Sequence, residues 1–287
     1  MKWTIPAKTF FIGEYAALAD RGSIILTTKP CFELTLSEES PGLYGIHPDS
    51  PAGRWWRRAG HANFGLHWFD PYQNCGGLGA SSAQFLGAFW ASSYLKHQTP
   101  THRAILEAYW QNAWDGQGMR PSGYDVIAQS LSGCVAIERL GGRIECFSWP
   151  FDHLAFIIVH TGHKLATHHH LQETTLPKEE VHQLDELVSQ AISAFQLVEN
   201  DQLVDAINQY HHALGVMNRV APHTQMLITK LETIPGILAL KGCGAMGADV
   251  MLCITTSESR RAIEMQLVNM NLKILATNDS VSGVGNV

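Results

Sequence analysis

NCGGLGASSAQ, residues 74–84, sets glycines at 76, 77 and 79 directly ahead of an Ala-Ser-Ser-Ala run that opens a helix. Glycine removes the side chain where a backbone must approach a ligand. The N–H groups at a helix N-terminus, aided by the helix dipole, hold phosphate well. Gly76, Gly77, Leu78, Gly79, Ala80, Ser81 and Ser82 are therefore predicted to cradle phosphate. The hydroxyls of Ser81 and Ser82 can bond phosphate oxygens or ligate magnesium. By glycine spacing alone, an ordinary glycine-rich turn before a serine-capped helix fits equally well.

Outward from this loop, Phe85, Ala88, Phe89 and Leu95 give a helix from Ser81 to about Lys96, and two more are expected over His102–Trp114 and about Gly123–Leu131. Upstream, TFFIG, SIILTT and, after Pro30, CFELTLS read as strands of a mostly antiparallel sheet. Residues 41–73 are rich in Gly, Pro, Trp and Arg without a clean period, and predict an irregular excursion. Downstream, CVAIERL and RIECFSW flank Gly141-Gly142 as a hairpin, and LAFIIVHTG is a buried strand. Three- and four-residue spacing from Val181 to Phe195 and from Leu203 to Leu214 predicts two amphipathic helices, the second capped by Asp201. Strand and glycine loop return over 236–255, and a helix over 258–271. The class is α/β (α+β), divided into lobes 1–150 and 151–287.

The 287-residue chain is 45% hydrophobic and 16% charged, enough apolar material for a sizeable core. Its net charge of −6, with no basic run, is the wrong sign for gripping nucleic acid. An anionic ligand would need a local basic pocket. The six cysteines form no C-x-x-C pair and read as free thiols of a reducing compartment. Glu14 interrupts any apolar segment of a signal peptide, and no apolar run reaches the roughly 18 residues of a membrane span. The expectation is a cytoplasmic globular protein, monomer or homodimer, without nucleic-acid or membrane partners.

Five segments, in order, resemble one family. PAKTFFIGEYAAL is similar to the opening of GHMP kinases and GGLGASSA to their phosphate loop. PSGYDVIAQ (121–129) and TGHKLAT (161–167) resemble segments of mevalonate kinases, and KGCGAMGADVML (241–252) resembles the third GHMP motif. The resemblance covers essentially the whole chain. It implies a two-lobed fold with the active site between the lobes, ATP and Mg2+ as cofactors, and a small-molecule acceptor.

Residue roles implied by the resemblance attach to single positions. Lys8 looks like the lysine that contacts the transferring group or the acceptor oxygen, and Asp125 like the aspartate beside the acceptor hydroxyl. Ser81 matches the magnesium-holding serine, with Ser82 a second choice, and AWDGQ (113–117) nominates Asp115 as a metal ligand. Glu14, Tyr15, Ser122, Gly123, Lys164, Gly244 and Ala245 complete the implied substrate-binding set. The residue types suit the chemistry independently. Phosphoryl transfer asks for positioning and charge neutralisation, hard oxygen ligands for a divalent ion, and a carboxylate within reach of the acceptor O–H.

PSGYD and TGHKLAT lean towards mevalonate as acceptor; Tyr15 and Asp249 lean towards phosphomevalonate. A phosphorylated acceptor would call for extra cations, for which Arg54, Arg57, Arg58, Arg103, Arg120 and Lys164 are available. A diphosphomevalonate decarboxylase-like enzyme and a non-catalytic ligand-binding relative are the readings from other classes. Trp55-Trp56 and Arg57-Arg58 read equally as adenine wall and anion clamp or as packing and a solvated edge. His168, His169 and His170 read as a solvated first helical turn, because consecutive side chains diverge and cannot easily share one metal.

Overall fold

The computed structural model describes residues 1–163 and 176–283. Two sheets organise it. The first is built on β1 (Lys2–Ile12) and β2 (Ser23–Ser37), an antiparallel pair. Instead of the two strands expected on either side of Pro30, β2 is one strand of 15 residues. Its start pairs with β5 (Cys134–Glu138) and its end with β4 (Gly65–Phe69). Pro30 falls between those two ladders and at the register shift on the β1 side, where the missing N–H interrupts no bond. β3 (Gly42–Tyr44) extends one edge, and β6 (Arg143–Phe147) closes the other as the expected Gly141-Gly142 hairpin.

The excursion over 41–73 is more regular than its composition suggests. Besides β3 and β4 it holds α1 (Pro51–Ala59), started by the Ser50 side chain accepting from Gly53 N–H and by Pro51 in the first turn. Gly53 is required there. A Cβ would lie 2.4 Å from the His47 carbonyl oxygen. Three further helices follow in the first half: α2 (Ala80–Leu95), α3 (His102–Ala113) and α4 (Tyr124–Leu131). Helix α2 crosses the β1–β2 pair so closely that a Cβ at Gly87 would meet Leu34 and Ile5 at 3.0–3.3 Å.

The second sheet runs β10 (Ile274–Thr277), β7 (Leu154–His160), β9 (Val250–Thr256), β8 (Ile237–Cys243), all antiparallel. Phe156, Ile158, Leu252 and Ile254 face the main core, which they share with the first sheet, α5 (Lys178–Leu197) and α6 (Asn200–Val216). Their neighbours Ile157, Val159, Met251 and Cys253 face a second core under α7 (Pro222–Leu231) and α8 (Arg260–Asn269). Cover on both faces explains why these strands read as unbroken apolar runs rather than as alternation. Asp201 does not cap α6. Glu199 holds that position and Asp201 lies inside the first turn, where its charge still favours the helix dipole. No helix among the described residues is long and apolar enough to cross a membrane.

Candidate active site

A cavity of about 580 Å³ opens between residues of the two halves. Lys8, Phe10, Glu14 and Tyr15 come from β1 and the turn after it, residues 74–82 from the glycine loop, and Tyr109 and Asn112 from α3. Pro121 to Gly123 and Asp125 come from the start of α4, and Cys243 to Ala245 with Asp249 from the loop joining β8 to β9.

Strand β1 fixes the glycine loop. Lys8 N–H donates to the Leu78 carbonyl at 2.9 Å. The lysine side chain then lies across Gly79, where a Cβ would sit 2.5 Å from its Cγ. Gly79 has φ +75° and precedes α2 without any side-chain cap, so the first N–H groups of that helix remain open towards the cavity mouth. Gly77, at φ +81°, presses on Asp249 and Val250, with no room for a side chain. The two serines separate cleanly. Ser82 is buried and donates to the Gly79 carbonyl at 2.9 Å, whereas Ser81 is exposed and its hydroxyl has no partner among the described residues.

Asp125 sits in the first turn of α4, behind Gly123 at φ +73°. A Cβ on Gly123 would strike Leu106 at 2.6 Å, so only glycine lets α4 start this close to α3. The Ser122 hydroxyl accepts from Tyr124 N–H at 3.3 Å, and Asp125 Oδ1 accepts from Val126 N–H at 3.0 Å. Burial first, and the Asp125 carboxylate second, push the Tyr109 hydroxyl well above its ordinary value. Tyr109 therefore stays protonated beside that carboxylate. One turn further along α4, the buried Gln129 donates to the carbonyls of Pro6 at 2.8 Å and Gly79 at 3.2 Å. That side chain locks β1, the glycine loop and α4 into one unit, and nothing in a lone internal glutamine signals it.

Glu14 and Tyr15 line the cavity with polar groups engaged inside the protein. Glu14 Oε1 lies 2.7 Å from the Nζ of Lys241, which is fully buried and also donates to the Gly242 carbonyl at 2.9 Å. The Tyr15 hydroxyl accepts from Met246 N–H at 3.1 Å, and burial pushes it up to about 12. These contacts moor Gly244 and Ala245 in the wall. Lys241 escaped the sequence reading, although a lone lysine inside the apolar run ILALKGC is a signal that can be found.

Behind Lys241, His211 on α6 keeps a buried Nδ1 without a partner among the described residues. Burial pushes its imidazole down to about 4, helped by the Lys241 ammonium and His212. The unfolded imidazole titrates near 6.5, so between about 6.5 and 4 the unfolded chain binds the extra proton. Stability should therefore fall as pH drops through that window, and His211→Gln should flatten the fall. Urea midpoints taken at several pH values check this; an unchanged slope would show that His211 is not its source.

Some expected residues lie elsewhere. Asp115 is exposed, accepts from Gln117 N–H at 3.0 Å in the surface turn after α3, and does not line the cavity. Trp55 stacks on Phe89 at 5.1 Å and Trp56 is core, so both are packing residues. Arg57 and Arg58 bond the carbonyls of Pro48 and Gln111 outside the cavity, on a solvated edge. Lys164 and His168 to His170 lie outside the described residues. No group of three His, Cys, Asp or Glu side chains gathers as a metal cage among the described residues.

No protein-family model matches the sequence, and no curated protein matches it. Solved structures do match, over nearly the whole chain. Streptococcus pneumoniae phosphomevalonate kinase, in complex with phosphomevalonate and AMPPNP, superposes with TM-score 0.79 at 13% identity, covering 96% of this chain and 99% of its own. The chain has the GHMP kinase fold. Methanococcus jannaschii mevalonate kinase superposes at 0.73 with 15% identity (99% and 98% covered), and Lactococcus lactis galactokinase, complexed with galactose, at 0.75 with 11% (99% and 94%). Three proteins named for different acceptors thus share one GHMP kinase frame with this chain. Within that frame the segments around Lys8, Gly79 and Gly244 meet at a single cavity.

Proposed function

We propose that this protein is an ATP-dependent phosphotransferase that passes the γ-phosphoryl group of ATP to a hydroxyl of a small acceptor, and that the acceptor is mevalonate. The observation that carries the reading is the meeting, in one cavity, of Lys8 laid across Gly79, the uncapped N-terminus of α2, and Asp125. Open N–H groups and the helix dipole suit the phosphates. Lys8 can follow charge as it moves onto the transferred oxygens, and Asp125 can orient the acceptor O–H and take its proton.

Apart from Glu14, which pairs with Lys241, the hard oxygens lining the cavity for Mg2+ include Ser81 Oγ and the carboxylates of Asp49, Asp125 and Asp249. So few protein donors suit an ion that keeps several waters and binds largely through substrate phosphates. Bound there, magnesium would neutralise charge on the β- and γ-phosphate oxygens. Asp115 belongs to that set only if the turn carrying it moves. The lobes, on this reading, divide near residue 150.

Phosphomevalonate is the second reading. Tyr15 and Asp249 favour it, as does the likeness to a phosphomevalonate kinase holding its acceptor and AMPPNP. The deciding experiment follows ADP release from Mg-ATP with mevalonate, phosphomevalonate, diphosphomevalonate, homoserine and galactose in separate reactions. Release with mevalonate alone supports the reading, release with phosphomevalonate alone moves it to the second, and carbon dioxide from diphosphomevalonate replaces both with a decarboxylase. ATP binding without turnover of any of the five overturns the catalytic reading.

The serines give a sharper test of the phosphate end. Ser81→Ala should raise the KM for Mg-ATP without moving Tm. Ser82→Ala should lower stability by about 0.5–1.5 kcal/mol through the lost bond to Gly79. Thermal melts and ATP titrations of the two variants separate the roles, and equal effects would defeat the assignment.

A further inference from the structure

The structure sorts the cations that the sequence offers to a charged acceptor. Arg57 bonds the Pro48 carbonyl at 2.7 Å and Asp49 at 3.3 Å; Arg58 bonds the Gln111 carbonyl at 3.0 Å. Arg103 pairs with Glu107 at 2.8 Å, and Arg120 lies over the Trp110 ring at 4.1 Å and reaches Asp20 at 3.8 Å. Of the five within the described residues, Arg54 alone lines the cavity. It forms no ion pair with a described carboxylate. Among the described residues its guanidinium makes one hydrogen bond, to the Asn112 carbonyl, and that bond is long at 3.4 Å.

Asn112 supplies an independent observation. The residue lines the cavity yet is 1% exposed, its Nδ2 donates to the Ala108 carbonyl at 2.7 Å, and its buried Oδ1 has no donor among the described residues. A buried acceptor left unbonded is unfavourable, and a ligand hydroxyl would complete it once the side chain, sealed from solvent as it stands, turns towards the cavity. Helix α3 also sets the order along the wall. Tyr109, beside Asp125, and Asn112, beside Arg54, are three residues apart and share a face. The other cavity cation without a carboxylate partner among the described residues, Lys8, packs its stem on Gly79 and so serves the phosphate end.

We propose that Arg54 and Asn112 form the anchoring subsite of the acceptor and select an organic hydroxy anion. The Arg54 guanidinium grips its carboxylate or phosphate, and Asn112 Oδ1 accepts from one of its hydroxyls. Another hydroxyl is thereby left towards Asp125. The subsite rests on the phosphotransferase reading for what then happens to the acceptor, but its binding can be measured without turnover.

The test is calorimetric binding of mevalonate (one carboxylate), phosphomevalonate (carboxylate and phosphate) and galactose (neutral) to the wild type and to Arg54→Met, Arg54→Lys, Asn112→Ala and Arg58→Met. Arg54 is exposed, so its replacement leaves the core intact. At least one anion should bind, and galactose far more weakly. Arg54→Met should weaken the anion roughly 10–100-fold, the worth of a charge-assisted contact. Arg54→Lys should restore part of that, Asn112→Ala should weaken binding roughly tenfold, and Arg58→Met should match the wild type. Equal affinity for the two anions assigns the carboxylate to Arg54; Arg54-dependent preference for phosphomevalonate assigns the phosphate. The proposal is overturned if neither anion binds, if galactose binds as tightly, or if Arg54→Met binds like the wild type. Arg54-dependent binding with no ADP release from any acceptor would remove the phosphotransferase reading and leave the subsite standing.

Discussion

Asp125→Asn is expected to fold as the wild type does and to transfer phosphate roughly 10²–10⁴-fold more slowly, the usual worth of a positioned acid–base group. The substitution keeps size and shape, and the amide oxygen can still accept from Val126 N–H. Helix α4 starts from Gly123 and Ser122, whose roles do not involve the carboxylate. The loss of a negative charge in the first turn should lower stability by only about 0.3–1 kcal/mol. The proton acceptor is what disappears. An amide beside Tyr109 and the acceptor can orient an O–H but cannot take its proton. Steady-state kinetics with the best acceptor, alongside thermal melts, check both halves. Full turnover in the variant would remove Asp125 from the mechanism.

The parts of this site legible in the sequence are those where backbone chemistry restricts the residue. Gly77, Gly79 and Gly123 all sit at positive φ with no space for a Cβ, so their spacing marks the loop and the start of α4 directly. Lys8 and Asp125 are legible only through the neighbours that make their segments resemble a family. Alone, each is an ordinary polar residue. The illegible part is long-range. Gln129 joins Pro6 and Gly79 across 123 and 50 residues, and Lys241 meets Glu14 across 227. Local periodicity carries no trace of such pairs.

The same distinction holds for the fold. Helices α2, α5 and α6 appear where apolar spacing predicts them, because their apolar residues are buried in the main core. Helix α1 is harder to read, being only nine residues long, although its Ser50-Pro51 start and the opposition of Ala52 and Trp56 to the arginines are signals that can be found. Asp115 shows the limit of a short match: AWDGQ can resemble a metal-binding segment of the family while the turn that carries it closes on itself, through Gln117 N–H, at the surface.

The largest stability effect should come from Lys241. Lys241→Met leaves Glu14 buried without its counter-ion. Breaking a buried pair in this way typically costs about 3–5 kcal/mol, whereas removing both charges is far milder. Glu14→Gln with Lys241→Met should therefore recover much of the loss, and the two single effects should fail to add. Burial already pushes the Glu14 carboxyl above its ordinary range against the pull of Lys241. Without the ammonium it rises further, so the folded Lys241→Met protein binds a proton that the unfolded chain gives up. Its stability should then fall as pH rises above about 4.5, steepening the deficit towards neutrality. Urea midpoints of the four proteins at pH 5 and 7.5 test both claims, and losses that add in the double variant would show that the pair is not coupled. The consequence reaches the site because this pair and the Tyr15–Met246 bond together hold the β8–β9 loop against the turn after β1. A protein that loses the pair should lose the wall that carries Gly244 and Ala245, and its affinity for nucleotide and acceptor should fall together.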